Sequence, residues 1–202
     1  IGRGATDMKG AIASFVSATK KFIDERKNFT GSISFIITGD EEGIAINGTK
    51  KLLNWMKEKN ISFDDCIVGE PTNPNKLGEM IKIGRRGSVN GVINVTGEQG
   101  HVAYPHLARN PIPILLGILN DLTLDELDQG NEHFQPSNLE ITSVDVGNKA
   151  TNVIPNSASA NFNIRYNDNF NKETIENEIK RRLNNFKNVF SLKLEHSGDS
   201  FL

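Results

Sequence analysis

The sequence predicts an α/β chain built in two units. Three observations carry that reading. Up to about residue 86, short apolar runs alternate with helical stripes, the pattern of a mainly parallel α/β layer. Beyond residue 86 the predicted order becomes strand, helix, strand, strand, helix, strand. In the first stretch, acidic residues stand in glycine-flanked loops, two of them just past predicted strand ends. Ligands in α/β folds bind beyond the carboxyl ends of strands.

Each element has its own reason. Residues 1–10 read as a glycine-rich loop, with Asp7 just before a helix over 11–26 whose stripe is Ile12, Phe15, Val16, Thr19, Phe22 and Ile23. Residues 32–37 form an apolar, β-branched run that predicts a buried strand. A helix over 48–59 presents Leu52, Leu53 and Met56 on one face. Short strands follow at 66–68 and 80–83. In the second stretch, 89–96 predicts a strand. Asn110-Pro111 starts a helix to about residue 122, proline suiting the first turn. Alternation predicts strands over 139–146 and 158–166. A helix over 171–186 and a strand over 189–195 complete a β-α-β-β-α-β order, the ferredoxin-like arrangement. The expected division is residues 1–86 for a catalytic unit, 87–197 for the ferredoxin-like unit, and 198–202 as a return toward the first. Neither end reads as a natural terminus, so a piece of a longer polypeptide is expected.

Composition narrows the classes. The 202 residues are 24% charged and 37% hydrophobic, enough for a packed core and unlike a disordered chain. A net charge of −2 argues against nucleic acid or an anionic membrane as partner. No membrane-length apolar run is present. The one cysteine, Cys66, excludes an internal disulfide, suits a reducing cytoplasm, and reads as a small core residue.

The stretch Thr38-Gly39-Asp40-Glu41-Glu42-Gly43 places three acids together. Like charges this close repel unless something positive sits among them. Asp7, Glu41, Glu42 and Glu70 all occupy glycine-flanked loops, and a parallel sheet would gather such loops at one edge. A dinuclear divalent site answers the electrostatic cost: one carboxylate bridges two ions, others terminate them, and a spare glutamate serves as base. Zinc also takes nitrogen ligands, and the four histidines, His101, His106, His133 and His196, all lie in the second unit. Taken singly, each feature has an ordinary alternative. The acidic triplet could be a solvated loop, Arg85-Arg86 a surface pair, His101 a loop histidine, Asn152 a strand entry, and Lys180-Arg181-Arg182 the wet face of a helix.

Taken together, six motifs occur in order: Gly4-Ala5-Thr6-Asp7-Met8-Lys9-Gly10, Thr38 to Gly43, Gly69-Glu70-Pro71-Thr72, Gly84-Arg85-Arg86-Gly87-Ser88, Gly100-His101-Val102-Ala103-Tyr104-Pro105-His106 and Thr151-Asn152-Val153-Ile154-Pro155. This set resembles the dinuclear zinc deacylases and peptidases that include acetylornithine deacetylase and carboxypeptidase G, and the fourth and fifth motifs favour the desuccinylating branch. The resemblance implies a cytoplasmic, homodimeric hydrolase acting on a small dicarboxylate with two divalent ions, zinc or cobalt. It implies Asp7 as bridging carboxylate, Glu41 as general base and acid, and Glu42 and Glu70 as terminal ligands. It implies that His101 reaches from a partner subunit toward the reacting carbonyl, and that Arg85, Tyr104, Asn152 and Arg165 hold the substrate. Members of that family also carry one histidine ligand per metal, upstream of the Asp7 motif and near the C-terminus. Neither motif is in this sequence, so the chain by itself is expected to bind zinc weakly and to be inactive. Another deacylase of the same family, and a non-catalytic dimerising relative, are the alternatives.

Overall fold

The computed structural model describes residues 2–39 and 41–202. Ile1, the start of the predicted loop, and Asp40, the first acid of the predicted triplet, lie outside the described residues. The chain divides into two compact units, one ending at Ile81 and one running from Lys82 to Leu202.

In the first unit the glycine-rich loop becomes a wide turn over Ala5–Lys9, and α1 follows over Gly10–Glu25. A second helix, α2, covers Thr49–Glu58 and buries Met56. The stripes of the sequence thus become helices within a residue of where they were expected. The strands expected at 32–37, 66–68 and 80–83 do not form, and no parallel sheet exists among the described residues. The reason is physical. An apolar β-branched run favours strand geometry, but a strand exists only where a partner satisfies its ladder. These runs find none, and Ile33, Phe35, Ile37, Ile67 and Val68 stay exposed. Cys66 is exposed as well, not the core residue its apolar neighbours suggested.

The second unit holds the core. Four strands, β1 (Gly87–Thr96), β3 (Asn138–Asp145), β5 (Ser157–Tyr166) and β6 (Phe190–Gly198), form an antiparallel sheet in the order β3-β5-β1-β6. Two helices, α3 (Pro111–Thr123) and α4 (Lys172–Arg182), complete the β-α-β-β-α-β order. Period-2 alternation puts Val89, Gly91, Ile93 and Val95 of β1, and Ala158, Ala160, Phe162, Ile164 and Tyr166 of β5, on the buried face. Leu115, Ile118, Leu122, Ile175 and Ile179 cover that face from the helices. Each such fully buried aliphatic side chain contributes about 1.5–3 kcal/mol.

Local chemistry starts both helices. The Asn110 side chain accepts from the Ile112 N–H at 3.0 Å ahead of Pro111. At α4 Asn171 and Thr174 form a reciprocal box, each backbone N–H donating to the other's side-chain oxygen at 2.9 Å. The basic run at the end of α4 departs from expectation. Lys180 and Arg181 are exposed, but Arg182 is buried and donates to the carbonyls of Leu122, Asp125 and Glu126. A buried guanidinium is stable there because it satisfies carbonyls in the last turn of α3 and just beyond it, and pairs with Glu178 at 2.8 Å.

A two-stranded ribbon, β2 (Gly100–His101) with β4 (Val153–Ile154), extends from the ends of β1 and β5. At the other end of β1, Arg85 pairs with Phe201 through two backbone hydrogen bonds of 2.8 and 3.0 Å. No helix among the described residues is long and apolar enough to cross a membrane.

Candidate active site

In the first unit the acidic positions share one electrostatic neighbourhood. Partial desolvation pushes the Glu70 carboxyl above its ordinary 4.5, and the charges of Asp7, Glu41 and Glu42 push it the same way. Close backbone packing helps to explain why. A Cβ added at Gly69 would meet the Phe15 ring at 2.3 Å and the Met8 methyl at 3.2 Å. Only glycine lets the 69–70 segment lie against the start of α1, beside Asp7. Asp7 itself has extended backbone, φ −118° and ψ 97°, inside the turn before α1. Glu41 and Glu42 occupy an exposed turn rather than a strand end.

Proximity in charge is not coordination. Among the described residues, no group of three or more His, Cys, Asp or Glu side chains comes together closely enough to hold a metal ion. The donors are also all carboxylates, whereas zinc normally takes nitrogen as well. The described residues therefore do not fit a metal centre as they stand.

In the second unit the other candidate residues separate into two groups. One gathers on the ribbon. Gly100 pairs with Ile154 and His101 with Val153, and the Val102 N–H donates to the Asn152 carbonyl at 3.1 Å. The fifth and sixth motifs, some fifty residues apart in sequence, are thereby zipped together, and His101, Tyr104 and Asn152 become neighbours, all exposed. The His101 and Tyr104 rings lie 5.9 Å apart, and the Tyr104 ring meets His106 edge-on at 6.4 Å. The second group lies at the opposite end of β1. Arg165 sits on the open face of β5, in register with Ser88 of β1 and Asn138 of β3, and Arg85 lies two residues before β1. From Ser88 to Thr96 a strand spans about 27 Å, so one chain does not bring Arg165 and His101 to a common small ligand.

Two contributors were not visible in the sequence. The Ala103 backbone N–H donates to His101 Nδ1 at 3.0 Å, and a backbone amide leaves no mark in residue identity. Arg86, read with Arg85 as one motif, turns away from that role and donates to the Asn138 side chain at 3.0 Å. A polar residue at the start of the strand over 138–145 was the available signal. Of the remaining histidines, His196 is structural, lying 3.1 Å from Glu176 and largely buried.

The second unit is an antiparallel β-α-β-β-α-β layer, and comparison with known proteins places it in a family. Residues 83–189 match the peptidase dimerisation domain, M20_dimer, and the chain belongs to that family. A succinyl-diaminopimelate desuccinylase of Methylorubrum extorquens is 61% identical over 183 residues, covering 90% of this chain and 48% of that protein. The desuccinylase of Methylobacterium radiotolerans is 59% identical over 183 residues, covering 90% and 47%. The chain thus spans about half the length of the curated relatives it matches. Among solved structures, human carnosine dipeptidase 1 superposes with a TM-score of 0.52 at 17% identity, over 98% of this chain and 54% of that one, a likeness of fold.

Proposed function

We propose that this chain is part of a metal-dependent amidohydrolase. Its reaction cleaves N-succinyl-LL-2,6-diaminoheptanedioate to succinate and LL-2,6-diaminoheptanedioate, in diaminopimelate and lysine biosynthesis in the cytoplasm. The observation that supports this most strongly is the roughly 60% identity, across 90% of the chain, to proteins named for that activity. In this reading the first unit belongs to the catalytic α/β domain, and the second is an inserted ferredoxin-like module that pairs two copies.

The residues then divide as follows. Glu41 takes the proton of the attacking water and delivers it to the leaving amine. Asp7, Glu42 and Glu70 are the carboxylates for two divalent ions, zinc or cobalt. The shared negative field around Glu70 is the condition a cation would relieve. Nitrogen ligands from elsewhere in the polypeptide would complete the centre, because the described residues do not. His101 donates a hydrogen bond to the carbonyl oxygen as it gains charge. Arg85 and Arg165 suit the substrate carboxylates through forked, charge-assisted bonds, with Tyr104 and Asn152 as polar partners.

The deciding measurement is metal content together with hydrolysis of succinylated and acetylated amines by the polypeptide that carries this sequence. Succinyl cleavage that depends on divalent metal is the expected result. Preference for the acetyl amine would move the assignment to another deacylase of the family. Binding without hydrolysis of either would make the protein a non-catalytic dimerising relative.

A further inference from the structure

The turn after β2 does more than carry His101. The Ala103 N–H points at His101 Nδ1 across 3.0 Å. A peptide N–H can only donate, so Nδ1 is the unprotonated nitrogen of the ring. In a neutral imidazole the proton then resides on Nε2. The amide is held in place by bonds that do not involve the ring. The Tyr104 N–H donates to the His101 carbonyl at 2.9 Å, the Leu107 N–H to the Tyr104 carbonyl at 3.0 Å, and the Val102 N–H to the Asn152 carbonyl at 3.1 Å. The β2–β4 register fixes the backbone of His101 itself against Val153. Tyr104 stands beside the imidazole, and His106 stands beside Tyr104.

We infer that Ala103 is a positioning residue whose backbone N–H locks His101 into the tautomer protonated at Nε2, presenting it as an obligatory hydrogen-bond donor rather than a base. The chemical class of group it serves is a carbonyl or carboxylate oxygen, which only accepts. This inference rests on the proposed amide hydrolysis for its functional meaning: Glu41 handles protons, and His101 supplies a fixed donor to the oxygen that becomes negative. A ring free to exchange tautomers would present a lone pair to that oxygen part of the time, and repel it.

The tautomer can be read directly. The polypeptide is labelled with 15N-histidine, and the His101 signals are assigned by their loss in His101→Gln. At about pH 8, where an ordinary imidazole is neutral, Nδ1 should appear as a wholly unprotonated nitrogen and Nε2 as a protonated one. Ala103→Pro, which removes only the N–H and adds a ring, should return His101 to an exchanging mixture. In activity, His101→Asn should lose about 10²–10³-fold in kcat, the usual size for one lost oxyanion donor. His101→Gln, whose amide reaches the Nε2 position, should recover about tenfold of that, with KM little changed in either. A protonated Nδ1 or a tautomer mixture in the parent protein overturns the inference. So does a folded Ala103→Pro variant with an unchanged spectrum, or a Gln variant no better than Asn. If the protein hydrolyses no amide, the functional reading falls while the spectrum still decides the tautomer.

Discussion

At Gly91 the second unit has no room for a single methyl group. A Cβ there would lie 2.0 Å from the Phe162 ring, which is itself 1% exposed in the core. Neither the ring nor β1 can retreat without opening the sheet, so Gly91→Ala should destabilise the unit by about 1–3 kcal/mol, the usual range for overpacking. Urea or thermal unfolding measures it, and a loss below a few tenths would mean the ring rearranges freely. A second prediction at this scale separates two adjacent acids. In the polypeptide that carries this sequence, Glu41→Ala should retain its metal and lose roughly 10²–10⁴-fold in rate, as a general base does. Glu42→Ala should instead weaken metal binding. Metal titration with kinetics distinguishes them, and the opposite pattern would exchange the two roles. The candidate acids were legible because chemistry resides in residue identity and glycine spacing. Their mutual influence was also legible, but the absence of a ligand group among the described residues was not, because that depends on ångström placement. The tautomer of His101 was invisible, since a backbone amide imposes it.

Elements show where sequence patterns suffice. In the second unit, alternation and helical stripes located strands and helices to within about two residues, with two exceptions: the strand expected over 189–195 runs on to Gly198, and the helix over 171–186 ends at Arg182 and gives way to a short turn over Asn184–Phe186. The four main strands pair along long antiparallel ladders, with register shifts only between Ser88 and Val89 and between Ile141 and Ser143, so the pattern and the hydrogen bonds largely agree. The two-residue strands β2 and β4 escaped because two residues have no period. The apolar runs of the first unit misled because a strand needs a partner, and the runs alone do not supply one. Charge at the end of α4 misled for another reason: three consecutive basic residues point in three directions, and Arg182 points inward. That arrangement makes a prediction. Hydrogen bonds from Arg181, then from Arg182, and the charges of both, hold the Glu178 carboxyl at about 2 instead of its ordinary 4.5. The folded state therefore binds this proton less readily than the unfolded one. Its contribution to stability is complete above about pH 4.5 and fades as pH falls toward about 2. Arg182→Met should cost about 1–3 kcal/mol at neutral pH, because it leaves the Leu122, Asp125 and Glu126 carbonyls without their donor and takes from Glu178 one of its two guanidinium partners. It should also flatten part of the acid dependence. Unfolding midpoints across that pH window decide it, and a variant with unchanged stability and unchanged acid slope would show the guanidinium to be dispensable.

The separation of candidate residues along β1 matters at the scale of the whole molecule. Arg165 and His101 stand at opposite ends of strands about 27 Å long. If both act on one small substrate, they come from different copies of the chain. The sheet has two edges, β3 and β6, and exposed edges are normally covered or paired. The family to which residues 83–189 belong is a dimerisation domain, and in the proposed function the His101 ribbon of one copy serves its partner's site. The resulting prediction uses two inactive proteins. On the proposed roles, Glu41→Ala lacks the base of its own site, and His101→Ala lacks the donor it would lend to its partner. Each homodimer should be nearly inactive. In a mixed dimer, the subunit with intact Glu41 faces a partner with intact His101, so one site is whole and the other lacks both groups. Random exchange makes half of the molecules mixed, and activity should return to about a quarter of the unmodified level, as two-fold symmetry requires. Subunit exchange is verified separately, by mass or by fluorescence transfer between labelled copies. Exchange without recovery would mean that His101 acts within its own chain or not at all.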